Sequence, residues 1–351
     1  MTSVGLRVLS TGPGVTIQDG GRHGFLRFGV TESGPMDPLA HKTANRAVAV
    51  PYDSAAIEVS LGGVELTPEG AALTVAVAGG SFHVSLDGHI LPAASLVRVG
   101  VNHKLTVRAG ASGAWCYIAV AGRFNLQPAL GSLSMHTRSL IGGSALDVGA
   151  QIPVIDSQTI EPATAEIVAP WLHRPGEMIR VILGPQNDYF DSAQITAFLN
   201  GPWTVSNRSD RMAYLLEGPK LAHAKGFNIV SDGTAAGSIQ IPGEGNPIVL
   251  MADRPPTGGY PKIATVISAD RGRLAQLRPG QKFHFETTSI QDAISARRDE
   301  MSKLSKPILL RPLVHSFPSE FLLSRNLVDG VTDGLAEFPE STARSPKHHP
   351  R

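Results

Sequence analysis

Short apolar runs, each closed by glycine, proline or a polar turn, constrain this chain more than any other feature. GLRVLS, VTIQD, AIEVSLGGVELT, LTVAVAGG, HVSLDGHI, LVRVGV, KLTVRAG and AWCYIAVAG follow one another through the first 122 residues. Several alternate apolar and polar residues, which puts one face of a strand in a core, and the turn residues stop each run early. The 37 glycines and 26 prolines fall largely between the runs, where a β-rich chain needs them. Helical patterning is confined to three segments. PLAHKTANRAVAV (38–50) has Pro38 in its first turn and Asp37 as N-cap. DYFDSAQITAFLN (188–200) would be capped by Asn187 or Asp188, and SIQDAISARRDEMSKLS (289–305) reads as an amphipathic helix. The expected class is mainly β with a few helices.

A length of 351 residues predicts about two domains. Residues 1–154 form the expected N-terminal β-rich lobe. Residues 155–178 mix Pro, Thr and acidic residues with little periodicity and read as a connection. Residues 179–305 form a second lobe, and 306–351 read as a largely disordered tail, with the His348-His349 pair part of it. The two lobes echo each other in order. TIQDGGRHGFLRFG (16–29) resembles TVSNRSDRMAYLLEG (204–218), IEVSLGGVEL (57–66) resembles IQIPGEGNPIVL (239–250), and ALTVAVAGG (72–80) resembles KIATVISAD (262–270). These echoes predict two lobes of similar topology, from duplication or from chance likeness of strand-turn-strand patterns.

The formal net charge of +1 gives no field to attract nucleic acid or an anionic membrane. No apolar run approaches a membrane span and the N-terminus lacks a signal-peptide core, so the chain reads as cytoplasmic. Its one cysteine, Cys116 in AWCYIAV, cannot form a disulfide within the chain and reads as a small buried residue. The 12 histidines do not fall into metal-ligand spacings, and His83 and His89 read as surface residues of a strand pair. No Walker-type loop, Rossmann glycine turn, Gly-x-Ser-x-Gly elbow or biotin-acceptor segment occurs.

Three segments carry chemistry. MADRPPTGGYPKIATVISAD (251–270) places a stiff, polar loop between two apparent strands. Gly258 and Gly259 let backbone N–H groups approach a ligand, and the prolines reduce the entropy lost on ordering. Asp253, Arg254, Thr257, Tyr260 and Lys262 supply charges and hydroxyls, a mixture suited to a small polar or anionic substrate with a carbonyl to polarise. The alternative is a rigid connection. In SNRSDRMAYLLEGP (206–219), Ser209, Asp210 and Arg211 either tie a turn together or present Arg211 to a carboxylate or phosphate. In SGPMDPLAHKTANRAV (33–48), Ser33 and Asp37 either cap a helix or lie at a ligand near its N-terminus.

TIQDGGRHGFLRFGVTESGPMDPLAHKTANRAV, SDRMAYLLEGP, GSIQIPGEGNPIVLMADR and TGGYPKIATVISAD resemble the family of the 5-oxoprolinase C subunit. That family includes KipA-type proteins, the so-called allophanate hydrolase subunit 2, and the carboxyltransferase subdomains A and B of urea carboxylase. The likeness runs over residues 4–290. The family usually carries Gln-Thr where this chain has Pro255-Pro256, and Gly where it has Ala213. The resemblance implies two cyclophilin-like β lobes and one of three roles. The first is a component of an ATP-dependent 5-oxoprolinase, acting with KipI-like and LamB-like subunits to open 5-oxoproline to glutamate. The second is carboxyl transfer from a biotin carried by another protein to a urea-like amide. The third is a KipA-type regulator that binds a KipI-like kinase inhibitor. Under the first role, Arg254, Lys262 and Arg211 would hold a carboxylate or phosphate, Gly258 and Gly259 an oxyanion, and Asp253 or Asp210 a base or water.

Overall fold

The computed structural model describes residues 4–313. Alternation does its work where one face meets solvent: Val64–Glu69 buries every second residue. The two longest strands, Leu73–Leu86 and Leu105–Val120, pair antiparallel and bury both faces at one end of the pair, where residues 75–78 meet 117–120. Val75, Val77, Ile118 and Val120 point into an aliphatic core. On the opposite face the small side chains of Ala76, Ala78 and Ala119 meet Ala40 and Ala44 of helix α1 (Pro38–Ala47). Alanine on both partners lets helix and sheet approach closely, which fixes the start of α1 against the sheet. These strands belong to a 12-stranded sheet.

The second lobe is a closed seven-stranded barrel. Met178–Leu183 and Lys282–Thr287 close it as a parallel pair. Its core mixes aliphatic and aromatic side chains: Phe198 stacks on Phe285 at 4.7 Å, and Trp203, Tyr214 and Phe283 belong to the same buried cluster. Four α-helices occur among the described residues. The side chain of Asp37 caps α1 by accepting from the Ala40 N–H, as its sequence predicts. Helix α2 (Ser192–Asn200) is capped by Asp191 rather than Asn187 or Asp188, because Asn187–Tyr189 turns as a 3-10 helix first. Helix α3 (Ser268–Ala275) follows directly from the strand Lys262–Val266, where the sequence suggested continued strand. Helix α4 (Ile290–Ser305) is capped by Ser289.

Two expected boundaries shift. The connection 155–178 contains a strand, Thr164–Val168, which pairs with Ser95–Val99 of the first sheet. The expected tail begins with another strand, Leu309–Pro312, paired to Thr164–Val168 in the register Val168↔Leu309 to Ala165↔Pro312. Residues 306–313 are therefore ordered parts of the first lobe, held further by Arg46 donating to the Lys306 carbonyl at 3.0 Å. The rest of the tail, including His348-His349, lies outside the described residues. The sequence echoes also diverge locally, since Trp203–Val205 leads to a strand, Ala213–Glu217, whereas Thr16–Gln18 leads to a 3-10 turn, Leu26–Phe28.

The lobes share a continuous core. Met36, Ala114 and Trp115 of the first lobe pack into the barrel's apolar cluster. The Trp115 indole donates to the Tyr214 hydroxyl at 3.1 Å, which donates to the Ala275 carbonyl at 2.7 Å. The Gln276 side chain accepts from the Ala114 and Trp115 amides and donates to Asp37 and to the Trp115 carbonyl. No helix among the described residues is long and apolar enough to cross a membrane.

Candidate functional site between the lobes

The Asp-Arg pair that ends the run MADR splits into two environments. Asp253 is fully buried and grips Arg211 with both oxygens, at 3.0 and 2.9 Å. It also accepts from the Thr137 N–H at 3.0 Å and hydroxyl at 2.8 Å. Burial raises its carboxyl, but the Arg211 charge and these hydrogen bonds outweigh that and hold it below the usual carboxylate range. Arg211 has further partners. It also donates to Glu58 and, at 2.8 Å, to the Gly34 carbonyl. Glu58, buried in the strand Ala56–Val59, accepts from the Met36 N–H and the Tyr117 hydroxyl, both at 2.8 Å. Burial pushes its carboxyl up, against the pull of Arg211. Arg211 and Asp253 thus form a buried clasp between lobes, in which four of the five Arg211 N–H groups and both Asp253 oxygens have protein partners.

Arg254 points elsewhere. It forms a wall of a cavity of about 930 Å³ between the lobes. Its guanidinium donates to Glu32 at 2.7 Å and to the Thr234 carbonyl at 3.2 Å, so its orientation is set by both lobes. Ser33 lines the same cavity, in the left-handed region at φ 55°, with its hydroxyl buried and unpaired. A strained polar residue facing a cavity is a feature of ligand sites. The side of the cavity towards α3 and α4 adds Arg271, Arg297 and Arg298. Lys42 and Asp53 pair at 2.9 Å on its rim.

Lys262 forms a second cluster. It is buried and donates to Asp232 at 2.8 Å, while its N–H donates to Gln186 at 3.1 Å. Thr257–Gly258 pairs with Asp232–Gly233, bringing the TGGYP loop beside this lysine. Gly258 lets the Gln240 side chain lie close to the loop, since a Cβ at 258 would come within 2.2 Å of the Gln240 Nε2 and push that side chain aside. The Gly259 carbonyl accepts from the Ile229 N–H, and Tyr260 is exposed.

Three candidates serve the backbone instead. The Asp210 carboxylate accepts from the Met212 and Ala213 amides, and the Ser209 hydroxyl accepts from the Leu215 amide. Both close the turn before the strand Ala213–Glu217 and neither lines the cavity. Asp37, besides capping α1, binds Arg174 and Gln276 at the lobe junction. Sequence reasoning missed Glu32, Glu58, Thr137, Asp232 and Arg271. Glu58 carried a faint signal as an acid inside an apolar strand; the others sit in loops, in the two-residue strand Asp232–Gly233 or on a helix, and showed none.

A stiff loop sends one arginine into an interlobe cavity and one lysine into a neighbouring cluster with Asp232, on a sheet joined to a seven-stranded barrel. That arrangement coincides with a family model: residues 28–287 match the carboxyltransferase domain, subdomain A and B. The chain belongs to that family. It is 35% identical to the C subunit of 5-oxoprolinase from Escherichia coli strain K12, over 84% of this chain and 95% of that one. It is 28% identical to a putative urea carboxylase of Emericella nidulans, over 94% of this chain and 28% of that one. The urea amidolyase structure from K. lactis superposes with a TM-score of 0.79 at 26% identity, over 88% of this chain. This carboxyltransferase-family chain spans 21% of that amidolyase's length.

Proposed function

We propose that this chain is the C subunit of an ATP-dependent 5-oxoprolinase, opening 5-oxoproline to glutamate with KipI-like and LamB-like subunits. The observation that carries the reading is its correspondence with two bacterial chains named as the C subunit of 5-oxoprolinase, across 95% and 91% of their lengths. The geometry supports it. Opening a lactam puts negative charge on the carbonyl oxygen, and preorganised donors in a water-poor site stabilise that charge. Arg254 is such a donor, fixed by Glu32 and the Thr234 carbonyl on the cavity wall. Ser33 offers an uncommitted hydroxyl in the same wall. ATP supplies the activation, and its phosphoryl group would travel to the amide oxygen before water attacks. No residue of this chain is assigned to ATP.

A second reading rests on the family model and the urea carboxylase relatives. There the same cavity would bring carboxybiotin, borne by another protein, to a urea-like amide. The test is reconstituted turnover. The chain is mixed with its KipI-like and LamB-like partners, ATP and 5-oxoproline, and glutamate release is followed with and without the chain. Glutamate that requires this chain supports the oxoprolinase reading. A folded complex that makes none, but carboxylates urea in the presence of a carboxylated biotin carrier, establishes the second.

A further inference from the structure

The charges lining the interlobe cavity do not balance. Lys42 is paired with Asp53 and Arg254 with Glu32. Arg297 is paired with Glu300, three residues further along α4. Arg298 is exposed to solvent. Arg271, on α3, is different. It is partly buried, lines the cavity, and among the described residues has no carboxylate within ion-pair distance. Its Nε is buried with no hydrogen-bond partner. The preceding acid cannot serve it, because both oxygens of Asp270 are held by Arg180, at 2.9 and 2.8 Å.

The surroundings keep Arg271 where it is. Its stem lies over Gly237, where a Cβ would sit 3.4 Å from the Arg271 Cδ and 2.8 Å from the Val266 carbonyl oxygen. Burial, and the like charges of Arg297 and Arg254, hold its guanidinium below its ordinary pKa. A guanidinium kept in that position is a fork of N–H donors waiting for a planar acceptor.

We infer that Arg271 is the anion anchor of the cavity, receiving the carboxylate of a small substrate whose reacting carbonyl lies toward Arg254. The identity of that carboxylate, the one on the 5-oxoproline ring, rests on the function proposed above; the anchor itself rests on the cavity alone. Arg271 is then a specificity residue: it distinguishes a ring bearing a carboxylate from the same ring without one.

Calorimetric titration tests this with the full chain, alone and mixed with its two partner subunits. The probes are 5-oxoproline, unsubstituted pyrrolidinone and inorganic phosphate. Wild type is expected to prefer 5-oxoproline to pyrrolidinone by about 10-fold or more, and Arg271→Met to lose that preference. Affinity for 5-oxoproline should fall about 10- to 100-fold, the range for a lost hydrogen bond to a charged group. Arg271→Lys, which keeps the charge but not the fork, should recover part of it, and it guards against a folding defect in the first variant. Wild-type affinity in Arg271→Met overturns the anchor, as does a wild type that binds none of the probes in either preparation. Phosphate binding that outcompetes 5-oxoproline and vanishes in Arg271→Met overturns the carboxylate assignment. Turnover separates the two claims. A complex that makes no glutamate, but whose anion binding still depends on Arg271, sinks the proposed function and leaves the anchor. An Arg271→Met complex that makes glutamate with an unchanged KM does the reverse.

Discussion

Asp210 and Arg211 are neighbours in sequence with unrelated tasks. Asp210 satisfies two amides of an exposed turn, and Arg211 holds two buried carboxylates from opposite lobes. Asp210→Ala should cost about 1 kcal/mol in urea unfolding, the value of a lost cap, and leave turnover unchanged. Arg211→Met should cost about 3–5 kcal/mol, because Glu58 and Asp253 would remain buried without their cation. Equal losses in the two variants would contradict the clasp. A titration makes a separate residue-scale prediction. His41 is fully buried on α1, and burial lowers its pKa from 6.5 to about 4. The unfolded chain therefore binds the extra proton between those values and the folded one does not. Stability is complete above pH 6.5 and falls toward pH 4, by about 3 kcal/mol from this group. His41→Gln should flatten that slope in urea unfolding followed across the same pH range; an unchanged slope would assign it to other groups. At this scale the sequence displayed the charged residues of the loop but not their partners. Glu32, Glu58 and Thr137 lie at least 116 positions from the loop or turn residues they bind, and no local pattern encodes such pairings.

Helices with capping residues were legible, and those without were not. Asp37 and Ser289 stand at the starts of α1 and α4, where the sequence places both helices. Helix α3 has Ile267 at its N-cap, with no side-chain capping bond, and Gly272 in its interior. Gly272 reads as a breaker, yet it is a contact: a Cβ there would sit 2.5 Å from the Asp37 carboxylate. The edge strand Leu309–Pro312 was too short and too mixed to stand out from the tail. Its presence changes what a truncation would do. Cutting after Ser305 removes the strand that covers Thr164–Val168 and the carbonyl that anchors Arg46. The shortened chain should lose about 1–3 kcal/mol in urea unfolding and aggregate more readily, since an uncovered strand edge templates pairing. Full stability and solubility would show that the strand contributes nothing.

For the molecule as a whole, the β class followed from short runs and turns, while the way the lobes share a core did not. Trp115 lies in a strand of the first lobe and packs in the second. Separating the lobes would strip its cover, along with that of Met36, and expose the clasp around Arg211. Urea unfolding should therefore give one transition, coincident by tryptophan fluorescence and far-UV circular dichroism. Two resolved transitions would mean the lobes unfold independently. The register Val168↔Leu309 carries a further consequence. Antiparallel strands paired end to end in this way are a hairpin, and here residues 169–308 occupy the position of its tip. The first sheet keeps its strand order if that excursion is replaced by a tight turn. In this chain the barrel is an insertion into a hairpin, and a gene could have acquired it without disturbing a single strand neighbour of the host.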